Sequence, residues 1–177
     1  GTSFTTGVLG QAFLFDGQSG FVQAPDWAFG TNDFSISLWA RFDSNDPGSL
    51  GQPGAIFIGN DESANNFNKW VFAYGGGFLN FHINSPESGP SFLAQTSFSP
   101  TLGTWYHLAV TRALNTYTIF VNGTARGSET DSHAIANAAA PLTLGQAEGF
   151  YFQGAMDEVR VFHRALSSGE IGQMAGN

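Results

Sequence analysis

Glu129 and Asp131 are the only E-x-D pair in this chain. Alternate residues of a β-strand point to one face, and two carboxylates about 5 Å apart can flank a glycosidic bond as acid and nucleophile. This pair lies in a polar stretch rich in Ser and Thr with no third acid beside it, so the expectation is a solvated loop or edge strand rather than a hydrolytic centre. Asp61 and Glu62 are adjacent, which points them apart on a strand. The four histidines are scattered, and none has H-E-x-x-H spacing. No serine occupies a G-x-S-x-G elbow. Cysteine is absent, which removes thiolate ligands and disulfides.

The residue types that remain are those that bind. Sugar recognition needs a flat aromatic face and polar groups reaching the hydroxyls. Trp70, Phe72 and Tyr74 alternate along one run, and Phe78, Asn80 and His82 along the next, across Gly75-Gly76-Gly77. If those faces coincide, Trp70 and Tyr74 supply the stacking surface while Asn80 and His82 supply polar contacts. The competing expectation makes Trp70, Phe72 and Tyr74 plain core. Trp39 and Arg41 form a second candidate platform. Arg112, whose guanidinium can fork onto a uronate or sulfate, and Tyr151 are expected at the rim, with Trp27, Asn66, Asn115 and Gln146.

The elements that must position these residues have a period of two. Phe34, Ile36, Leu38, Ala40 and Phe42 alternate with Ser35, Ser37, Trp39 and Arg41, the signature of a half-buried strand. Similar runs at residues 12–15, 55–58, 70–74, 79–83, 92–95, 105–112, 116–121, 142–144 and 156–162 predict roughly ten or more strands. Asp16-Gly17, the glycine run 75–77 and Asn122-Gly123 supply the positive φ of tight turns. Segments 43–54 and 60–68 read as long polar loops, a common seat of function. One helical turn is expected at the C-terminal end, where Ser167 and Glu170 match a capping box ahead of Ile171 and Met174.

Composition narrows the partners. Hydrophobic residues make up 42% and charged residues 11% of the 177 residues, which excludes a disordered chain. The length suits one domain over residues 1–177. Fourteen acids against six bases give a charge of −8, so nucleic acid and anionic membrane surfaces are repelled rather than gathered. No apolar run approaches the roughly 18 residues of a membrane span. The 18 Phe, 23 Gly and single Lys have the flavour of secreted bacterial β modules, and the chain reads as a mature or excised piece of a larger protein.

Three stretches carry a family resemblance. Ala12-Phe13-Leu14-Phe15-Asp16-Gly17 comes with Gly20-Phe21-Val22 and Phe34 to Trp39. Trp105-Tyr106-His107-Leu108-Ala109-Val110-Thr111 comes with Ile119 to Gly123. Leu142 to Gly145 comes with Phe152 to Phe162 and Arg164 to Ser167. Together they resemble laminin-G-like domains of the concanavalin A-like superfamily. The resemblance implies an all-β, two-sheet antiparallel jelly-roll sandwich. It also implies a noncatalytic carbohydrate-binding module that meets a polysaccharide or glycan at an extracellular or cell-surface location; an adhesion or structural module that binds protein is the alternative, and a polysaccharide hydrolase or lyase ranks below both. The resemblance further implies a structural calcium ion at Asp157, held together with carbonyls of the first strands and a neighbouring loop, with Asp16 as second candidate. From the residues alone, Asp16 is equally a turn former, and Asp157 could pair with Arg160 or Arg164.

Overall fold

A computed structural model describes residues 1–44, 55–62, 68–84, 92–135 and 137–176. Parts of both long polar loops, Asn66 included, lie outside the described residues. Two antiparallel sheets face each other. The seven-stranded sheet runs β1 (Thr2–Thr6), β2 (Gln11–Asp16), β15 (Gln153–Phe162), β4 (Phe34–Phe42), β9 (Trp105–Ala113), β10 (Thr116–Val121) and β11 (Thr124–Thr130). The six-stranded sheet runs β3 (Val22–Ala24), β12 (Leu142–Leu144), β5 (Ala55–Asp61), β6 (Lys69–Gly75), β7 (Phe78–Asn84) and β8 (Phe92–Ser97). A small hairpin, β13 (Gln146–Ala147) and β14 (Phe150–Tyr151), lays Ala147 and Phe150 on Ile56, Val71 and Ala73, on the outward face of the six-stranded sheet.

The expected jelly-roll sandwich is therefore present. Its core forms where the apolar members of the period-two runs meet, among them Phe34, Ile36, Leu38 and Phe42 from one sheet and Phe57, Trp70, Phe72 and Phe81 from the other. Asn122 (φ 49°) and Gly123 (φ 78°) make the tight turn between β10 and β11. The one helix, α1 (Ser168–Met174), begins with the full capping box of Ser167 and Glu170 and docks Ile171 on Ala109 and Phe120. No helix among the described residues is long and apolar enough to cross a membrane.

The two long sides of the sandwich differ. On one, β8 and β11 close upon each other: Thr96 Oγ1 donates to the Arg126 carbonyl at 3.2 Å, and a Cβ on Gly127 would stand 3.2 Å from the Gln95 carbonyl. The other side stays open, with an apolar cleft of about 290 Å³ lined by Phe13, Val22, Ile58, Leu142, Met156 and Val159, among others.

Candidate functional site

The register of one hairpin decides the fate of the predicted aromatic platform. Gly76 and Gly77 both have positive φ (61° and 85°) and form a two-residue turn, pairing Gly75 with Phe78. From there Tyr74 opposes Leu79, Phe72 opposes Phe81 and Trp70 opposes Ile83. Opposed residues share a face, so Trp70, Phe72 and Tyr74 point inward while Phe78, Asn80 and His82 point outward. The joint platform is corrected accordingly. Trp70 is 1% exposed, its ring 5.0 Å from Phe29 and 5.9 Å from Phe81. Tyr74 is buried against Phe42 and Phe98. Asn80 and His82 are half-buried on the outer face, where Asn80 Nδ2 donates to the Phe78 carbonyl. Burial, then the Lys69 charge, lowers the His82 pKa.

Arg112 is not a rim residue. It is fully buried, donating to the carbonyls of Gly30 (3.1 Å) and His133 (3.2 Å), with its guanidinium 5.3 Å from the Tyr117 ring centre. A cation placed so ties two loops to β9 and β10 and cannot reach a ligand. Tyr151 stands half-buried opposite Gln146 in the small hairpin. The second platform, Trp39 and Arg41, is on the outer face of the seven-stranded sheet; Arg41 is held by Asp43 and lies over the Trp105 ring. The six predicted ligand residues thus form no single site: Trp70, Tyr74 and Arg112 are buried, while Asn80, His82 and the hairpin that carries Tyr151 belong to the outward side of the six-stranded sheet.

The acids anchor backbone. Asp61 Oδ2 accepts the Glu148 N–H and Glu62 Oε1 the Ala139 N–H. Asp131 caps His133, while Glu129 is exposed on β11. Asp16 accepts N–H groups of Gln18, Ser19 and Gly20 and pairs with the Gly1 amino group; the amino group above all, then those amides, holds its carboxyl well below the usual carboxylate range. Asp157 accepts the N–H groups of Leu9 and Glu158, both at 2.8 Å, whereas Arg160 pairs with Glu158 and Arg164 with Glu170.

These contacts test the implied calcium. Asp16 opposes Gln153 and Asp157 stands four residues further along β15, a separation of about 13 Å at the rise of a strand. Backbone N–H donors face both carboxylates, the opposite of the six to eight oxygens that calcium requires. Among the described residues no three His, Asp or Glu side chains converge. The two acids as placed do not fit one shared cation. A chelator is therefore expected to leave the melting temperature unchanged. Calcium bound at a hundred times its Kd would contribute about 2.7 kcal/mol, so a fall of several degrees would reinstate a cation site.

One concave site does combine stacking surface with polar groups. A groove of about 740 Å³ lies where the β6–β7 turn, the end of β8 and the β10–β11 turn come together, lined by Tyr74, Ser97, Phe98, Tyr106, Asn122 and Arg126, with Gly77, Ser99, Val121 and Thr124. Phe98 is held over it by donating its N–H to the Gly77 carbonyl at 2.9 Å. Its ring lies 6.0 Å from that of Tyr74 and 5.1 Å from that of Tyr106, both edge to face. Tyr106 is fixed by the Thr101 N–H, which donates to its hydroxyl at 3.0 Å. Asn122 Oδ1 accepts the His107 N–H and its own N–H returns to the His107 carbonyl, which hangs the far wall from β9. Burial pushes the Tyr74 hydroxyl pKa up, so it stays a neutral hydrogen-bonding group. Of these residues the sequence reading named only Tyr74 as a ligand residue; Phe98, Tyr106 and Arg126 sit on three separate strands or strand ends, and the closure of β8 on β11 brings them together.

Comparison with known proteins follows the fold. A search of curated protein sequences finds no match. Among solved structures, domain 4 of AbnA, a GH43 extracellular arabinanase from Geobacillus stearothermophilus in complex with arabinotriose, superposes with a TM-score of 0.79 at 22% identity, over 99% of this chain and 81% of that one. The binding domain of Paraclostridial Mosquitocidal Protein 1 gives 0.76 at 18% identity, over 99% of this chain. Domains LG4-5 of the mouse laminin alpha1 chain give 0.65 at 17%, over 88%. This chain spans 45% of the toxin domain and 44% of the laminin pair. The laminin-G family model matches residues 16–172, nearly the whole sandwich, and the chain belongs to the concanavalin A-like lectin/glucanases superfamily.

Proposed function

We propose that this domain is a noncatalytic carbohydrate-binding module of a larger extracellular or surface protein, and that it holds its glycan in the groove between the β6–β7 and β10–β11 turns. The observation that carries the reading is the groove's make-up. Phe98 and Tyr106 offer ring surface, with buried Tyr74 beneath them, while Ser97, Ser99, Asn122, Thr124 and Arg126 offer hydroxyl, amide and guanidinium groups around it. That is the mixture a pyranose or furanose needs, apolar C–H faces against rings and hydroxyls against short polar chains. The similar arabinanase domain was solved with arabinotriose bound, which supports a glycan. No Asp or Glu is among the described residues lining the groove; glycoside hydrolysis runs on a pair of them, which supports a binding role.

Affinity electrophoresis against a panel of soluble polysaccharides tests this. Thr124 is exposed on the rim, so Thr124→Trp should fill the groove without touching the core. Loss of retardation at an unchanged melting temperature is the expected result. Retardation equal to that of the parent, or release of reducing ends from a polysaccharide, would refute the proposal.

The protein-binding reading has one observation of its own. Phe4, Val8, Leu9 and Phe21 are all exposed; Phe4 on edge strand β1 stands opposite Phe13, which lines the open apolar cleft, and Phe21 directly precedes Val22, which lines it too. Exposed apolar side chains beside an apolar cleft mark a contact surface more often than a sugar site.

A further inference from the structure

Six residues of the chain carry a fixed positive charge at neutral pH: Arg41, Lys69, Arg112, Arg126, Arg160 and Arg164. Five have partners. Arg41 is held by Asp43, Lys69 by Glu148, Arg160 by Glu158 and Arg164 by Glu170, while Arg112 is consumed by two carbonyls and the Tyr117 ring. Among the described residues Arg126 is the only one of these whose side chain meets no partner, and it is exposed at the groove.

Its position is built rather than incidental. The β10–β11 ladder pairs Ile119 with Gly127 and then Phe120 with Ala125, so Arg126 is the extra residue of a β-bulge. A bulge breaks the alternation of a strand and re-aims one side chain. Here the backbone at the bulge is pinned from across the sandwich by Thr96, whose hydroxyl donates to the Arg126 carbonyl. Arg126 thereby lines the same groove as Phe98 and Tyr106, a groove whose described lining holds no acid, on a protein of charge −8.

We infer that the groove selects an acidic saccharide, with the Arg126 fork taking the carboxylate of a uronate or the sulfate of a sulfated sugar while the ring of that sugar lies on the aromatic floor. The inference rests on the carbohydrate-binding reading and deepens it. Guanidinium matches a carboxylate or sulfate edge with two parallel N–H···O bonds, which ammonium cannot do. The overall negative charge does not oppose this at close range. At physiological ionic strength the screening length is about 8 Å, so distant acids are damped while a contact near 3 Å is not.

The test compares the whole chain with Arg126→Ala and Arg126→Lys in gels containing polygalacturonate, dextran sulfate or linear arabinan. Retardation by an acidic polymer is expected, and the two acidic gels separate carboxylate from sulfate. Arg126→Ala should weaken that binding roughly tenfold or more, the loss of a charge-assisted contact, and the lysine variant should recover only part of it. Binding to arabinan should change less than about twofold, since no charge is read there. Equal affinity of parent and Arg126→Ala for the acidic polymer overturns the inference, as does a parent retarded by arabinan and by neither acidic gel; in that second case the carbohydrate-binding reading survives. A chain retarded by no polymer, or a Thr124→Trp variant that binds like the parent, removes the groove itself and the inference with it.

Discussion

Truncating Trp70 to alanine is expected to cost about 3–5 kcal/mol, the range for removing a large buried aromatic with its transfer and cavity terms. The indole is wedged between Phe29 and Phe81, and Phe81 in turn stacks on Tyr117 and meets Phe34, so the void would open in the middle of an aromatic layer that links both sheets. Close packing leaves little slack to collapse into it. Urea denaturation reads the loss as a lower midpoint at unchanged slope. For a domain of this size each kcal/mol moves the melting temperature by about 2–4 °C, so the shift should exceed 5 °C. A cost below about 1 kcal/mol would mean that Trp70 is not core, and the register of the β6–β7 hairpin would have to be redrawn.

That register could have been read from the sequence. The strands were legible because a half-buried strand must alternate, and the turns because only glycine and asparagine accept positive φ easily. Taking Gly76-Gly77 as a two-residue turn forces Gly75 opposite Phe78, and every even-numbered residue of β6 then shares a face with an odd-numbered residue of β7. Trp70, Phe72 and Tyr74 must pack with Leu79, Phe81 and Ile83, as the structure has it, leaving Asn80 and His82 on the other side. Strand β1 escaped notice for a different reason. Thr2-Ser3-Phe4-Thr5-Thr6 is an almost wholly exposed edge strand, and an edge has no buried face to impose a pattern.

The groove was not legible, because its members share no local pattern. Phe98 lies just beyond β8, Tyr106 near the start of β9, and Arg126 inside a bulge that no periodicity announces. Their proximity depends on β8 meeting β11 across the sandwich, a long-range contact of about thirty residues of separation at Thr96 and Arg126. Arg112 shows the converse. A lone arginine in an apolar strand reads as a functional cation, yet the Gly30 and His133 carbonyls that absorb it come from segments far away in sequence.

Acidification from about pH 6.5 to pH 4 is expected to cost about 3 kcal/mol of stability, most of it through His107. This histidine is 1% exposed on the outer face of the seven-stranded sheet. Its Nε2 is paired with the Ser37 hydroxyl at 2.8 Å, and its buried Nδ1 meets no hydrogen-bond partner among the described residues. A proton would add a charge and a second N–H to a place with no acceptor for it. Burial, and then the Arg160 charge, lower its pKa to about 4, against about 6.5 in an unfolded chain. Between those values the unfolded state holds a proton that the folded state refuses. The stabilisation is therefore complete above the unfolded value and is lost as pH falls toward the folded one, at about 1.4 kcal/mol per unit. His82, also lowered, by burial and Lys69, adds to the loss with the same sign. Asp16 and Glu170 have lowered pKa values, so their contributions begin to fade as the pH falls into the ordinary carboxylate range, below about 5, and the upper part of the window, from about 6.5 to 5, belongs to the histidines. Urea midpoints measured at half-unit steps should slope downward through this window in the parent. His107→Gln, which keeps a polar partner for Ser37 but cannot titrate, should lose most of the slope while retaining the smaller part due to His82. An undiminished slope in that variant would mean that His107 does not set the acid limit of the fold.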